Sequence, residues 1–417
     1  MVESVLNAAD CTTNKIAKDE SLITFISGSD ISPNVSEKLI SQYASGKNSE
    51  DVHLNIEELI RKYGFEVEKH EVQTEDGYVL TMFRIPNPSA KVVFLMHGLL
   101  SSADDWVSPG PDRGLALLLA AEGYDVWLGN ARGNKHSRRH IRLSPDADAA
   151  AFWDFSWDEI GRHDLPAMID NALAVSRSSS LRYVGHSQGT TAFFVLCSER
   201  PEYNDKVSLM VALSAVAWMS HVKSPIIKLL SPYNPFLYLV TKAFGAQEFL
   251  PNGGTVKIFK SVLCGNAVLA NLVCSNLIFL LCGFNYDQVN FTRLPVIMSN
   301  VPAGAAMKQL VHYAQGIVSG NFQKFDYGSS LNLKMYGSKF PPPYSVERIK
   351  TPIAILYSDG DWLASPKDVQ TLYNNLVNVV DFYKIPLEKF NHVDFIWAKD
   401  IKELVFHKLL LLLKSVD

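Results

Sequence analysis

The stretch Leu181–Phe194 constrains this chain more than any other. It runs Leu181-Arg182-Tyr183-Val184, then Gly185-His186-Ser187-Gln188-Gly189, then Thr190-Thr191-Ala192-Phe193-Phe194. A short apolar strand, a sharp turn and an apolar helix follow one another without spacing. A serine in such a turn lies on strained backbone with its hydroxyl exposed above the end of a sheet, the arrangement called a nucleophile elbow. Gly185 and Gly189 leave room for the sharp backbone and for close packing of the helix. The helix N-terminus behind Ser187 favours developing negative charge. The pentapeptide alone also arises by chance, so the rest of the chain has to supply a base, an acid and an oxyanion hole.

Around the elbow, short apolar runs alternate with helical patterns. Leu54–Tyr63 reads as a helix. Phe65–Thr74 and Tyr78–Ile85 read as a hairpin around the turn signal Glu75-Asp76-Gly77. Lys91–Met96, Tyr124–Leu128, Lys206–Ser214 and Pro352–Tyr357 are continuous apolar runs, as expected of buried parallel strands. Helices are expected over Gly114–Glu122, Trp157–Ala174, Lys367–Leu376 and Ile401–Lys414, and a last strand over Val379–Ile385. This alternation predicts an α/β fold, a mostly parallel sheet flanked by helices. It breaks between about Trp218 and Phe340, where the sequence is helical, aromatic and interrupted by prolines. The expected organisation is a polar arm over 1–50, a core made of 51–217 and 341–417, and a helical cap inserted over 218–340. The insertion falls at the carboxyl edge of the sheet, where open α/β folds bind ligands.

Composition narrows the classes of partner. The chain has 417 residues, 47% apolar and 20% charged, with a net charge of −4. That balance predicts no nucleic-acid surface and no strong attraction to anionic membranes. Ser261–Tyr286 carries no charge but is interrupted by Asn266, Asn271 and Asn276, so it is read as part of the insertion rather than as a stable transmembrane span. No signal peptide is visible at the N-terminus. The cysteines are Cys11, Cys197, Cys264, Cys274 and Cys282, with no metal-ligand spacing. Asn34-Val35-Ser36 and Asn290-Phe291-Thr292 are sequons. The run Arg132, Lys135, Arg138, Arg139, His140, Arg142 is read as a solvated or salt-bridged loop, with a phosphate or headgroup site as the alternative. The aromatics of the insertion either line an acyl channel or form its own core.

A serine hydroxyl needs a base to take its proton. His392, on the loop after the last strand, is placed for that role; His97 and His186 read as local support and His407 as a surface residue. The acid should follow the strand ending at Tyr357, where Asp359 and Asp361 both qualify by position. Asp394, two residues from His392, reads as loop support. The oxyanion hole would be built from the N–H groups of Gln188, after the nucleophile, and Leu99, in the loop after His97-Gly98.

These residues and the segments around them resemble a family. Thr74-Glu75-Asp76-Gly77-Tyr78, His97-Gly98-Leu99-Leu100, Asp125-Val126-Trp127-Leu128-Gly129-Asn130, Phe155-Ser156-Trp157-Asp158-Glu159, Gly185-His186-Ser187-Gln188-Gly189, Cys282-Gly283-Phe284, Asp361-Trp362-Leu363-Ala364 and Asn391-His392-Val393-Asp394-Phe395 are similar to the acid lipases of the α/β-hydrolase superfamily. That group contains lysosomal acid lipase and gastric lipase, and the likeness is greatest to its insect members. The resemblance runs from about Asp51 to the C-terminus. It implies Ser187 as nucleophile, His392 as base and Asp361 rather than Asp359 as acid, with a mobile lid in the insertion. It also suggests a Cys264–Cys274 disulfide, although the loop is one residue longer than expected. Two further departures are Ala215, where the family has proline after the sixth strand, and Asp359, where glycine is usual.

The resulting expectation is a serine lipase or esterase that hydrolyses lipid carboxylic esters through an acyl-enzyme, with no metal or organic cofactor. Its partner is a lipid ester at a lipid–water interface, it is a monomer, and the resemblance implies an extracellular or lysosomal glycoprotein. The rivals are a lipid-binding homologue of weak activity, since fold alone does not prove chemistry, and a lipid transacylase.

Overall fold

The structure is a computed structural model and describes residues 49–244, 247–250 and 280–416, together with 41, 42, 45 and 46. Nearly all of the polar arm, Cys11, Cys264, Cys274, Asn34, Phe259, Phe279 and most of the uncharged stretch 261–286 lie outside the described residues.

The strands are β1 (Glu68–Gln73), β2 (Val79–Ile85), β3 (Val92–Met96), β4 (Asp125–Leu128), β5 (Leu181–His186), β6 (Val207–Leu213), the two-residue β7 (Glu248–Phe249) and β8 (Ala305–Ala306), β9 (Ile353–Tyr357) and β10 (Val379–Lys384). Eight of them form one sheet in the order β1-β2-β4-β3-β5-β6-β9-β10. β1 and β2 pair as the expected antiparallel hairpin, and β2 meets β4 antiparallel. From β4 onward every pairing is parallel. The burial of each strand follows its place. β1, at the edge, alternates between half-buried and exposed, whereas β3 and β5 are buried at every position. A parallel strand covered by helices on both faces needs that uninterrupted apolar run.

Successive residues of β3 feed opposite layers. Phe94 and Met96 join one buried cluster with Trp127, Tyr183 and Phe193, and Val93 and Leu95 join the other with Leu209, Val211 and Phe395. Full burial of each such side chain contributes roughly 1.5–3 kcal/mol. The sequence led us to expect one helix over Trp157–Ala174. The structure shows Trp157–Glu159, a π turn over Ile160–Asp164 and an α-helix over Leu165–Ser176. Gly161 lies in the π turn, where a Cβ would stand 2.7 Å from the Ala192 carbonyl. The absent side chain lets this element pack directly on the elbow helix.

Between β6 and β9 the described residues form helices Pro225–Leu230, Asn234–Phe244, Leu294–Asn300, Met307–Ser319 and Ser329–Tyr336. Helix Met307–Ser319 touches the elbow helix. Its His312 stacks on Trp157 at 3.7 Å between ring centroids, and Lys308 binds Asp154 at 3.0 Å. The antiparallel pair β7–β8 is an element the sequence reading did not anticipate.

Candidate active site

Ser187 follows β5 directly and caps helix Gln188–Glu199 with φ 52° and ψ −119°. A non-glycine residue there stores on the order of 1–3 kcal/mol of strain, so neighbours must hold it. The Ser187 N–H donates to the Leu213 carbonyl at 3.2 Å. Neither elbow glycine has a left-handed φ, and space explains both. A Cβ on Gly185 would meet the Gly189 carbonyl carbon at 2.9 Å, and one on Gly189 would meet the Met96 carbonyl oxygen at 2.3 Å. The helix therefore sits directly on the end of β3. A Cβ on Gly98 would stand 3.1 Å from the Ser187 Cβ, so the loop carrying Leu99 crosses closely above the serine.

Strand order brings together residues far apart in sequence. β5, β6 and β9 are neighbours, so their carboxyl ends lie side by side. His392 Nε2 is 2.7 Å from Ser187 Oγ. His392 Nδ1 is 3.0 Å and 3.1 Å from the two Asp361 carboxylate oxygens. Both side chains are buried. Burial pushes the Asp361 carboxyl up, but the His392 imidazole, the Ser214 hydroxyl and the Ala364 N–H outweigh it and hold the acid below the ordinary carboxylate range. The Leu363 and Ala364 N–H groups both donate to Asp361 Oδ1, at 2.8 and 2.9 Å. Asp359 points elsewhere, pairing with Lys384 at 3.0 Å on the surface.

The base loop is fastened on several sides. The His392 N–H donates to the Cys282 carbonyl, and the His392 carbonyl receives a hydrogen bond from His186 Nε2 at 2.9 Å. Asp394 Oδ2 accepts from the Asn391 N–H at 2.8 Å and from Asn285 Nδ2 at 2.7 Å. Burial raises the Asp394 carboxyl to about 7. Gly283, at φ +107°, passes so near the acid loop that a Cβ would lie 2.3 Å from the Gly360 carbonyl oxygen. The segment Cys282-Gly283-Phe284 thus pins the acid and base loops together. Burial lowers His97 to about 4 and His186 to about 3, so both are neutral supports. His97 Nε2 accepts from the Ala131 N–H at 3.1 Å, leaving Nδ1 to donate to the Gly98 carbonyl at 2.8 Å.

Gln188 follows Ser187 directly, and Leu99 follows Gly98 in the loop that passes close to the serine. Gln188 opens its helix, where first-turn N–H groups have no intrahelical acceptor. Its side chain donates to Gln309 Oε1 at 2.7 Å. Thr191 Oγ1, one turn on, is 3.0 Å from the Tyr313 hydroxyl and donates to the Val216 carbonyl at 2.7 Å. The sequence reading singled out none of Ser214, Gln309 and Tyr313 as part of the site. Ser214 had a signal, since it stands at the end of β6, but only the strand order shows which loops that end adjoins.

The basic run is salt-bridged. Arg132 binds Asp164 and Asp76, Lys135 binds Asp104, Arg138 binds Glu248 and Asp146, and Arg139 binds Glu71. The aromatics of the insertion divide. Trp218, Tyr238 and Phe284 pack on Phe322, Phe325 and Trp362, whereas Tyr233 and Phe236 are exposed. Cys197 and Cys282 are buried free thiols. Among the described residues no helix is long and apolar enough to cross a membrane.

A family model described as a partial α/β-hydrolase lipase region matches residues 56–110, and one for the α/β hydrolase fold matches residues 91–255. Lipase 1 of Drosophila melanogaster is 42% identical over 368 residues, covering 88% of this chain and 81% of its own. The chain belongs to the lipases of the α/β-hydrolase family. Human gastric triacylglycerol lipase is 40% identical over 369 residues, covering 86% of this chain and 90% of that one. Human lysosomal acid lipase/cholesteryl ester hydrolase is 38% identical over 374 residues, covering 88% and 92%. Among solved structures, a candidate lipase from Sulfolobus solfataricus aligns with a TM-score of 0.56 at 13% identity, over 84% of this chain and 94% of that one. That likeness speaks to the fold alone. The lipase family and the α/β-hydrolase fold agree with the sequence reading.

Proposed function

We propose that this lipase hydrolyses water-insoluble carboxylic esters of the triacylglycerol or steryl ester type through an acyl-enzyme on Ser187. The observation that carries the reading is the unbroken hydrogen-bonded chain from Ser187 Oγ through His392 to Asp361. As Oγ attacks the ester carbonyl carbon, its proton passes to His392 Nε2. The Asp361 carboxylate holds the imidazole tautomer through Nδ1–H and stabilises the imidazolium that forms. The carbonyl oxygen, now an oxyanion, is bound by the N–H groups of Leu99 and Gln188, each supplying on the order of 3 kcal/mol to the transition state. The tetrahedral centre collapses, the C–O bond to the alcohol breaks, and His392 returns the proton to the leaving oxygen. Water then attacks the acyl-enzyme with His392 as base and releases the acid. A positioned general base contributes roughly 10²–10⁴-fold.

Residues 218–340 serve as a cap over this site. Three observations support a lipid–water interface as the working place. The relatives carry lipase names. Leu229, Tyr233 and Phe236 are exposed at i, i+4 and i+7 along consecutive helical turns. Leu239, 67% exposed, continues that apolar surface. An extracellular or lysosomal location fits the gastric and lysosomal names of the relatives.

The test is hydrolysis of triolein and cholesteryl oleate emulsions beside a soluble short-chain ester, with and without a fluorophosphonate. The parent should hydrolyse the emulsions and take up the probe at Ser187, and Ser187→Ala should do neither while remaining folded. Hydrolysis by Ser187→Ala at the parent rate would overturn the assignment.

A further inference from the structure

We propose that Ser214 is a positioning residue of the catalytic chain, a hydroxyl that ties Asp361 to His392 and sets how strongly the carboxylate acts on the imidazole. The inference rests on the reading of Ser187, His392 and Asp361 as the reacting and orienting groups. Ser214 is fully buried. Its Oγ is 2.5 Å from Asp361 Oδ2 and 2.7 Å from His392 Nδ1. An ionised carboxylate only accepts, so the Ser214 hydroxyl donates to Asp361. Its oxygen is then left to accept from Nδ1–H, which it approaches more closely than either carboxylate oxygen does. Asp361 Oδ1 is occupied by the Leu363 and Ala364 N–H groups, so Ser214 is the donor that serves Oδ2 besides the imidazole.

The backbone is built to hold this hydroxyl. Ser214 has φ 55°, a left-handed conformation disfavoured by any side chain. Its N–H donates to the Leu356 carbonyl at 3.0 Å, tying it to β9. Two residues on, the Val216 N–H donates to Thr190 Oγ1 at 2.9 Å, and Thr190 Oγ1 donates to the Ser187 carbonyl at 2.6 Å. The turn after β6 is thus anchored to the acid strand on one side and to the elbow helix on the other. Strain held this firmly at the one hydroxyl that touches both partners points to a role for the hydroxyl rather than for the turn.

The physical consequence is felt at both partners. Donation to the carboxylate offsets part of its negative charge, and a hydrogen bond to an ionised acceptor is about twice as strong as a neutral one. Removing the hydroxyl takes this donor from Asp361 and the nearest acceptor from Nδ1–H together, so both the charge on the carboxylate and the seating of the imidazole change. The other groups facing His392 are Ser187, neutral His186 at 5.0 Å between rings, and the Cys282 carbonyl. Asp394 lies two residues along the base loop, and neither it nor any of these groups changes in the variants.

The test compares full-length Ser214→Ala and Ser214→Gly with the parent. Glycine relieves the left-handed φ while alanine keeps it, and both remove the hydroxyl. Rates are measured on a soluble p-nitrophenyl ester across pH and normalised to active sites titrated with a fluorophosphonate. In both variants kcat should fall by about tenfold or more with KM little changed, and the acidic limb of the kcat/KM profile should move away from the parent's. A role in folding alone would lower the titratable fraction and Tm, with the normalised kcat and the limb unmoved. That result, or full recovery in Ser214→Gly, overturns the proposal. Failure of the parent to label at Ser187 would instead overturn the triad reading beneath it.

Discussion

Asp359 and Asp361 are two residues apart and live in different environments. Asp361 is buried, receives two backbone N–H groups and faces the imidazole, whereas Asp359 forms an exposed pair with Lys384. Asp361→Asn should therefore lower kcat by roughly 10³–10⁴-fold, because the amide can hold the wrong histidine tautomer. Asp359→Asn should leave kcat unchanged, since an exposed ion pair contributes only about 0–1 kcal/mol. Steady-state kinetics on one soluble ester checks both. Position along the chain does not distinguish the two aspartates; the resemblance favoured Asp361. Once the strand ends, one side chain points under the base loop and the other outward.

At the scale of elements, the site is the junction of β3, the elbow helix and helix Met307–Ser319. Gly189 sits where the elbow helix meets the Met96 carbonyl at a distance that leaves no room for a Cβ. Gly189→Ala should displace the helix start, and with it the Gln188 N–H. Fewer fluorophosphonate-titratable sites and a lower Tm are expected, with the titration as the deciding measurement. Helix Met307–Ser319 holds the other side through the Gln309–Gln188 and Tyr313–Thr191 contacts. Gln309→Ala strips a buried amide of its acceptor, a loss of about 1–3 kcal/mol. It should lower the urea midpoint, and it should reduce kcat as Gln188, the proposed oxyanion donor, loosens. The alternating pattern made the core elements legible in sequence. The helices after β6 were legible as helical but not as contacts, because nothing local says which face of a helix meets the elbow.

Taken whole, the molecule carries buried carboxylates whose titration should shape its stability. Burial raises Asp105 to about 7, and its Oδ1 has no partner among the described residues. A carboxyl at its ordinary value near 3.9 when unfolded and about 7 when folded binds its proton more tightly in the native state. Its contribution is complete below about pH 4, is lost progressively as pH rises toward and through 7, and is absent above that. Asp361 has the opposite sign, its contribution being lost only as pH falls through its depressed folded value. Thermal melts from pH 5 to 8 should show Tm falling toward the alkaline end. Asp105→Asn should flatten that slope and raise Tm at pH 8; an unchanged slope would remove Asp105 as its source.

The sequence by itself determined the α/β alternation, the elbow at Ser187 and the histidine after the last strand. Each is a local signal, written in periodicity, glycine spacing or chain order. Only the tertiary structure decided that β6 lies between the nucleophile strand and the acid strand, and so placed Ser214 against Asp361 and His392. It likewise set Arg132 and Lys135 of the basic loop against buried carboxylates and helix Met307–Ser319 against the elbow. Pairing across a sheet and packing between layers join residues more than a hundred positions apart. Such contacts are chosen by the burial of whole faces rather than by any short stretch of chain.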